Sequence, residues 1–263
     1  MAHLYITDNG SVIGVEGGRF VIHQKKNLIK SIPKESVESI SIFGNSTMTT
    51  PCMQEILISN IPVCFFSGKG RYYGRLVSTS GDKVTLLKQQ FKSTEDKEFT
   101  IRFAQKIISA KIHNKQVVLF RYLGPQKGDC LQDLSAISVM ERKVGLSREA
   151  AEIMGHEGYA SRTYFKLLNR VIRPEFHFYG RNRRPPKDPF NAMLSLGYTL
   201  LLYEIMAKIE KIGLNAYCGV LHYDRDGSPA LAEDLMEEWR AVIVDSLVMS
   251  MIQGNEVNYC ERK

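Results

Sequence analysis

No two cysteines of the chain stand in a C-x-x-C pair, and the five present, at positions 52, 64, 130, 218 and 260, are an odd number. Neither a disulfide framework nor a structural zinc site is expected, and free thiols fit a reducing cytosol. The opening residues, Met1-Ala-His-Leu-Tyr-Ile-Thr-Asp, lack a basic segment followed by an apolar core and do not read as a signal peptide. A membrane span needs ~20 mostly apolar residues. The most apolar stretch, 192–209, carries Glu204 and Lys208 and reads instead as a buried helix, so no membrane association and a cytoplasmic location are expected. Internal repeats and low-complexity tracts are absent. With 44% hydrophobic and 24% charged residues over 263 positions, the chain has the composition of one large globular domain or two ordinary ones.

Acidic residues are in deficit: 28 against 35 Lys and Arg, a formal charge of +7. That excess permits a polyanionic partner without requiring one. Between positions 162 and 187, Arg162, Lys166, Arg170, Arg173, Arg181, Arg183, Arg184 and Lys187 face a single acid, Glu175. The segment fits either a solvated basic loop or a surface that contacts phosphates.

Hydrophobic periodicity divides the chain. Over the first ~80 residues, alternating and β-branched runs predict strands at 4–7, 12–16, 19–23, 39–42, 63–66 and 72–77. They are punctuated by Asp8-Asn9-Gly10, Gly17-Gly18 and Ser67-Gly68-Lys69-Gly70. One helix interrupts them, with Thr49 or Thr50 as cap and Pro51 in its first turn. From there the period becomes helical, over 86–91, 99–121, 131–144, 147–168, 189–212 and 229–253, with Ser147 and Ser228 as candidate caps. The expected fold is α+β in two domains: an N-terminal β-sandwich-like domain with one helix, 1–85, and a C-terminal all-α domain, 86–263. The polar segment 93–98 is a second candidate hinge.

Glu157 lies in the apolar row of its helix with Ile153, Ala160, Tyr164 and Leu168. A carboxylate there is costly unless paired or metal-bound. The alternative is a glutamate at the edge of that face or paired with an arginine. The dipeptide His156-Glu157 does not begin a metalloprotease motif, because position 160 is alanine. Ser67-Gly68-Lys69-Gly70 lacks phosphate-loop and dinucleotide-binding spacing and reads as a turn. His222 ends Gly219-Val220-Leu221-His222 and precedes the turn Asp224-Arg225-Asp226-Gly227. In the next helix Asp234 and Glu237 are three apart and point to nearly one side. One histidine with two carboxylates can bind a divalent ion and leave room for water or phosphate. Acids early in a helix also simply favour its positive end. An oxygen-rich set suits Mg²⁺ or Mn²⁺, and one imidazole tilts the choice toward Mn²⁺. Beside a basic surface, such an ion suits phosphoryl transfer. Between these blocks, Asp188 and Pro189 fit a capped helix start, with Asn191 and Ser195 one turn apart behind the basic loop.

Three blocks in this order, with a fourth in the N-terminal strands, carry a resemblance. They are Glu152-Ile-Met-Gly-His-Glu157-Gly-Tyr-Ala-Ser-Arg-Thr-Tyr-Phe; Arg183-Arg-Pro-Pro-Lys-Asp-Pro-Phe-Asn-Ala-Met-Leu-Ser-Leu-Gly-Tyr; Gly219-Val-Leu-His222 with Leu231-Ala-Glu-Asp-Leu-Met-Glu-Glu-Trp-Arg; and the N-terminal Ile42-Phe-Gly-Asn with Ile61-Pro-Val-Cys-Phe-Phe. Together they resemble the universal CRISPR-associated adaptation integrase/endonuclease family over almost the whole chain. The resemblance implies that Glu157, His222 and Glu237 are the catalytic metal ligands, with Asp234 an auxiliary acid and Mg²⁺ or Mn²⁺ as cofactor. It implies that Arg162, Lys166, Arg181, Arg183, Arg184 and Lys187 contact DNA. It implies an N-terminal dimerisation domain, a homodimer, and a small ferredoxin-like companion subunit. The implied reaction inserts short foreign DNA into the CRISPR repeat array, with a DNA 3′-hydroxyl as the attacking group, and cuts branched or flapped DNA. Family members usually continue beyond the acidic helix, whereas this chain ends at Lys263, so a shortened C-terminal domain is expected. Two other readings are a non-catalytic DNA-binding scaffold of the same complex and a metal-dependent phosphodiesterase for small substrates.

Overall fold

The computed structural model describes residues 2–78, 83–182, 185–222 and 226–258. It divides into two compact units, residues 1–83 with 210–214, and residues 84–209 with 215–263. The strand-rich unit comes first and the helical unit second, as the change of period implies.

The first unit holds two four-stranded sheets. In one, β5 (Val37–Phe43) lies between β1 (Ala2–Ile6) and β7 (Val63–Phe66), parallel to both, and β8 (Tyr72–Leu76) pairs antiparallel with β7. β5 is buried on both faces over Ser39–Ile42, the continuous pattern of a covered parallel strand. The other sheet runs β4 (Asn27–Pro33), β3 (Arg19–Gln24), β2 (Ser11–Glu16), β6 (Thr47–Met48). Gly17 and Gly18, both at positive φ, turn β2 into β3 in the two-residue hairpin that their sequence signals. Lys25 and Lys26 take the same left-handed conformations between β3 and β4. Lysine does not advertise positive φ, and β4 exposes Leu28 and Ile29, so neither the turn nor the strand is visible in the residue pattern. The two-residue β6 is too short to show a period. Helix α1 (Thr50–Ile58) is capped by the Thr49 hydroxyl, which accepts from Cys52 N at 3.4 Å, with Pro51 in the first turn. Its Cys52 and Ile56 join Ile13 and Phe20 of one sheet and Ile40 and Val63 of the other in a single core. Burying each large aliphatic or aromatic side chain there contributes ~1.5–3 kcal/mol.

The second unit is helical: α2 (Val84–Glu95), α3 (Lys97–Leu123), α4 (Leu131–Leu146), α5 (Ala150–Val171), α6 (Pro189–Lys211, whose last two residues group with the first unit), α7 (Ala230–Trp239) and α8 (Ser246–Gln253). The polar stretch expected to hinge is a helix start instead. The Asp96 carboxylate accepts the Glu98 and Phe99 amides at 2.9 and 3.2 Å, capping α3. Ser147 closes α4 rather than opening α5, because its hydroxyl donates to Lys143 O at 3.0 Å. The Ser228 hydroxyl donates to the Glu233 carboxylate rather than accepting a helix amide. Helix α6 is long and apolar enough by length and composition to cross a membrane, and only 22% of that apolar window is buried. Its buried residues are at its start, Phe190, Asn191, Leu194 and Tyr198, and near its end, while Leu201, Leu202 and Ile205 between them pack on the core only partly buried, so it is less buried than the residue pattern implies.

The single helix expected over 229–253 is interrupted. Residues Arg240–Asp245 form a turn of wide, π-type helix between α7 and α8. Such a turn shifts the side chains beyond it around the axis and is frequent at functional sites. Here it turns Asp245 fully inward, where its carboxylate accepts the Tyr164 hydroxyl at 2.8 Å and the Tyr198 hydroxyl. Burial raises the Asp245 carboxyl above its ordinary range, and the two phenols partly offset that rise. The same burial beside Asp245 pushes both tyrosines well above 10.

Candidate active site

Helices α3, α5 and α7 bring three charged rows together. The apolar stripe of α3 runs through Ala104, Ile108, Ile112, Val118 and Leu119, and Lys111 and Lys115 lie in that same stripe. Opposite them are Glu157 of α5 and Glu237 of α7. The Lys111 Nζ stands 2.5 Å from Glu157 Oε1 and 2.5 Å from Glu237 Oε2. The second contact is an ion pair outside hydrogen-bond geometry, which leaves Glu237 Oε2 a buried oxygen with no hydrogen-bond donor among the described residues. Lys115 lies 3.7 Å from Glu157 Oε1, and its ammonium donates to Ser161 Oγ, which donates in turn to Glu157. Arg240, one turn after Glu237, pairs with Glu237 Oε1 at 3.1 Å.

Burial alone raises a carboxyl, but at Glu237 the neighbouring Lys111 and Arg240 more than reverse it and hold the group at about 2. Glu157 is lowered by the same competition, burial against Lys111 and Lys115. Burial and the adjacent Lys111 depress Lys115 to about 7, with the carboxylates opposing. Both glutamates are therefore anionic at neutral pH, inside a pocket where a charge must be matched.

His222 reaches this cavity from a separate loop, and Asp234 sets its position. The fully buried Asp234 carboxylate accepts the backbone amides of Val220 (2.6 Å), Leu221 (2.9 Å) and His222 (3.0 Å), and His222 Nδ1 at 2.6 Å. Gly219 makes the close approach possible: a Cβ there would stand 2.5 Å from Ala230 Cβ and 3.2 Å from the Asp234 carboxylate. The Asp234 hydrogen bond is the main cause of a raised imidazole pKa, against burial, which lowers it. A carboxylate on Nδ1 fixes the proton there and leaves Nε2 as the nitrogen able to engage a ligand. Asp234 is thus saturated by donors from one loop and acts by positioning.

Glu157, His222 and Glu237 line one cavity of about 680 Å³, together with Lys111, Lys115, Arg162, Lys166, Arg181 and Arg240. Among the described residues no three histidine, cysteine or acidic side chains share a centre at metal-ligand distance. The two glutamates do converge on one point, and Lys111 holds it. Their donor set fits a small hard cation: two anionic buried carboxylates, one oxygen without a hydrogen bond, and an imidazole oriented by a carboxylate in the same cavity.

Of the basic residues singled out from sequence, Arg162, Lys166 and Arg181 line the cavity, and Lys166 also pairs with Asp133 at 2.9 Å. The Arg181 guanidinium lies 5.3 Å from the Tyr198 ring centre and 5.8 Å from that of Phe165, and it donates to Asn191. Lys187 is exposed and is not part of the lining. Arg183 and Arg184 lie outside the described residues. Arg170 donates to Cys130 Sγ, while Arg173 pairs with Glu175 and donates to Ile252 O, so these two are engaged in internal contacts. Asn191 is completely buried. Its amide nitrogen donates to Gly180 O and to Asp188, whose other oxygen caps α6 by accepting Asn191 N at 2.7 Å.

Sequence reasoning missed Lys111, Lys115, Arg240 and Asp245. A signal existed for the lysines, since two cations one turn apart in an apolar helical stripe demand buried counter-charges. None existed for Arg240 and Asp245, whose directions depend on the wide turn.

Comparison with known proteins follows the same lines. A family model described as CRISPR associated protein Cas1 matches residues 4–261. The CRISPR-associated endonuclease Cas1 of Mycobacterium tuberculosis is 36% identical over 258 residues, 98% of this chain and 76% of that protein. A solved Cas6-RT-Cas1–Cas2 complex contains a chain 29% identical, with a TM-score of 0.81 over 98% of this chain and 28% of that one. A CAS1 protein from Thermotoga maritima shares the fold, with 22% identity and a TM-score of 0.82 over 98% of this chain and 81% of that one.

Proposed function

The chain belongs to the CRISPR-associated Cas1 family, and from that premise we propose that Glu157, His222 and Glu237 hold the divalent ion of its DNA-cutting and DNA-joining site. The observation that carries this reading is the meeting of two buried carboxylates at one cation position, in the cavity that His222 also lines. The protein is an endonuclease and integrase of CRISPR adaptation, inserting short foreign DNA into the repeat array. Mg²⁺ or Mn²⁺ is the proposed ion, and when bound it supplies charge to a phosphodiester and to the attacking and leaving oxygens.

The chain's own residues do the rest. Arg162, Lys166, Arg181 and Arg240 surround the carboxylates with positive charge, drawing the phosphate backbone into the cavity and fixing its register. Arg181 is held flat by aromatic rings and by Asn191, which limits its motion before DNA arrives. With Nδ1 tied to Asp234, His222 would present Nε2 to the ion beside the two carboxylates. Asp234 keeps the imidazole aimed. Exposed Lys187 is proposed to extend the DNA contact beyond the cavity, and Arg183 and Arg184 are proposed to contact DNA as well.

We further propose that the strand-rich unit forms the homodimer contact. A small companion subunit like the Cas2 named in the related complex is assigned to the same assembly, with a cytoplasmic location. The test is strand joining and flap cleavage with Mn²⁺ by the native chain and by His222→Ala. Loss of both activities in the variant is expected, and equal activity removes the site.

A further inference from the structure

Lys111 and Lys115 sit one turn apart on α3, but they are held differently. Lys115 has three kinds of anchor: it donates to Ser161 Oγ, faces Glu157 at 3.7 Å, and lies over the rings of Tyr164 and Phe165 at 5.4 and 5.8 Å. The contacts of Lys111 are the two carboxylates, one on each side at 2.5 Å. Its side chain also lines the cavity, and its flexible, unbranched four-carbon stem can carry the ammonium between the carboxylate pair and the open space. An ammonium midway between two buried carboxylates, at contact distance from both, has the placement of a small cation shared by them.

We propose that Lys111 is the resident cation of the site: its ammonium occupies the position between Glu157 and Glu237 that the divalent ion takes, and loading expels it into the cavity as a phosphate-facing charge. The inference rests on the metal reading above and adds a device to it. With Lys115 and Arg240 staying beside the pair, a cation stands between the two carboxylates in both states, one positive charge before loading and two after, so the glutamates never face each other bare. Two cations cannot share the position, because at ~4 Å the repulsion of unit charges reaches several kcal/mol even at an effective dielectric of 20. Lys115, with its own anchors, stays in place, and Lys111 moves. The expelled ammonium then adds to Arg162, Lys166, Arg181 and Arg240 around the bound backbone. Metal loading and the cavity's affinity for DNA are thereby coupled: each favours the arrangement in which Lys111 has left the carboxylates.

Two measurements on the full chain without DNA test this. The first is Mn²⁺ affinity, from the electron paramagnetic resonance of free Mn²⁺, for the native chain, Lys111→Met and Glu237→Gln. Removing the competitor should tighten Mn²⁺ binding in Lys111→Met at least tenfold, about 1.4 kcal/mol, while Glu237→Gln should lose binding. The second is amine acylation of the native chain read by mass spectrometry, which does not depend on the variant folding. Lys111 should be protected in chelator and labelled several-fold faster at saturating Mn²⁺, with Lys115 protected in both. Unchanged or weaker Mn²⁺ binding in Lys111→Met, or Lys111 still protected at saturating Mn²⁺, overturns the inference and leaves the metal site standing. Native affinity retained in Glu237→Gln overturns the metal site and the inference with it.

Discussion

Replacing Asp234 by asparagine changes one atom and should dismantle the support of His222. The carboxylate serves four donors, two per oxygen: Val220 N and Leu221 N on Oδ2, His222 N and His222 Nδ1 on Oδ1. An asparagine offers one acceptor oxygen and turns an amide donor toward the other pair, so two of the four bonds become donor against donor. Hydrogen bonds to a charged acceptor contribute ~1.5–3 kcal/mol each, and the partly exposed loop recovers some of that through water, giving a net loss of roughly 3 kcal/mol. This side chain accepts the amides of Val220, Leu221 and His222, while Gln90 holds the preceding Asn215 and Cys218, so the loss falls on local opening of 220–222 rather than on global unfolding. Amide hydrogen exchange at 220–222 should therefore accelerate roughly 100-fold, the equivalent of that free energy, while exchange in α3 and α5 stays near native rates. Mn²⁺ affinity and strand joining should fall together. Native exchange at 220–222 in Asp234→Asn would show that the loop holds its shape without the carboxylate, and the positioning argument would fail.

Other consequences are equally direct. Glu237 is held at about 2 against 4.5 for the ordinary group. A depressed carboxyl stabilises the fold above the unfolded value and loses that contribution as pH falls toward the folded one. Metal-free native protein should thus lose about 3 kcal/mol between pH 5 and pH 2 that Glu237→Gln does not, as read by urea unfolding at a series of pH values. Asp245→Ala strands two buried phenol hydroxyls and opens a small void, a cost of about 3 kcal/mol. At 2–4 °C per kcal/mol the melting temperature should drop by roughly 6–12 °C in scanning calorimetry, and a drop under a degree or two would mean the tyrosines find other partners. Gly219→Ala places a methyl 2.5 Å from Ala230 Cβ, which should cost ~1–3 kcal/mol and weaken Mn²⁺ binding in the same titration used for Lys111. Lys166→Ala should lower DNA affinity alike for all sequences and reduce the salt slope by about one, measured as binding at two or more salt concentrations.

The residue pattern of this chain specifies a good deal. The change from period two to period 3.6 near residue 85 separates a strand-rich from a helical part, because alternation and the 3.6-residue repeat bury different sets of positions. Glycine at 17 and 18, Thr49 with Pro51, and Asp188 with Pro189 announce a hairpin and two helix starts, since each acts through bonds to its immediate neighbours. The carboxylate in the apolar row of α5 and the His222 and acidic blocks mark where chemistry is expected, because a buried charge must have a partner. What the sequence could not determine was which partner. Lys111 lies 46 positions before Glu157 and 126 before Glu237, and only the packing of α3 against α5 and α7 sets its ammonium between them. Likewise a wide helical turn, decided by tertiary contacts and invisible to any repeat, aims Asp245 at two tyrosines. Local structure follows from short-range backbone and side-chain preferences that adjacent residues carry. The electrostatic balance of a buried site is a sum over groups that meet only when the chain has folded, so it belongs to the tertiary structure alone.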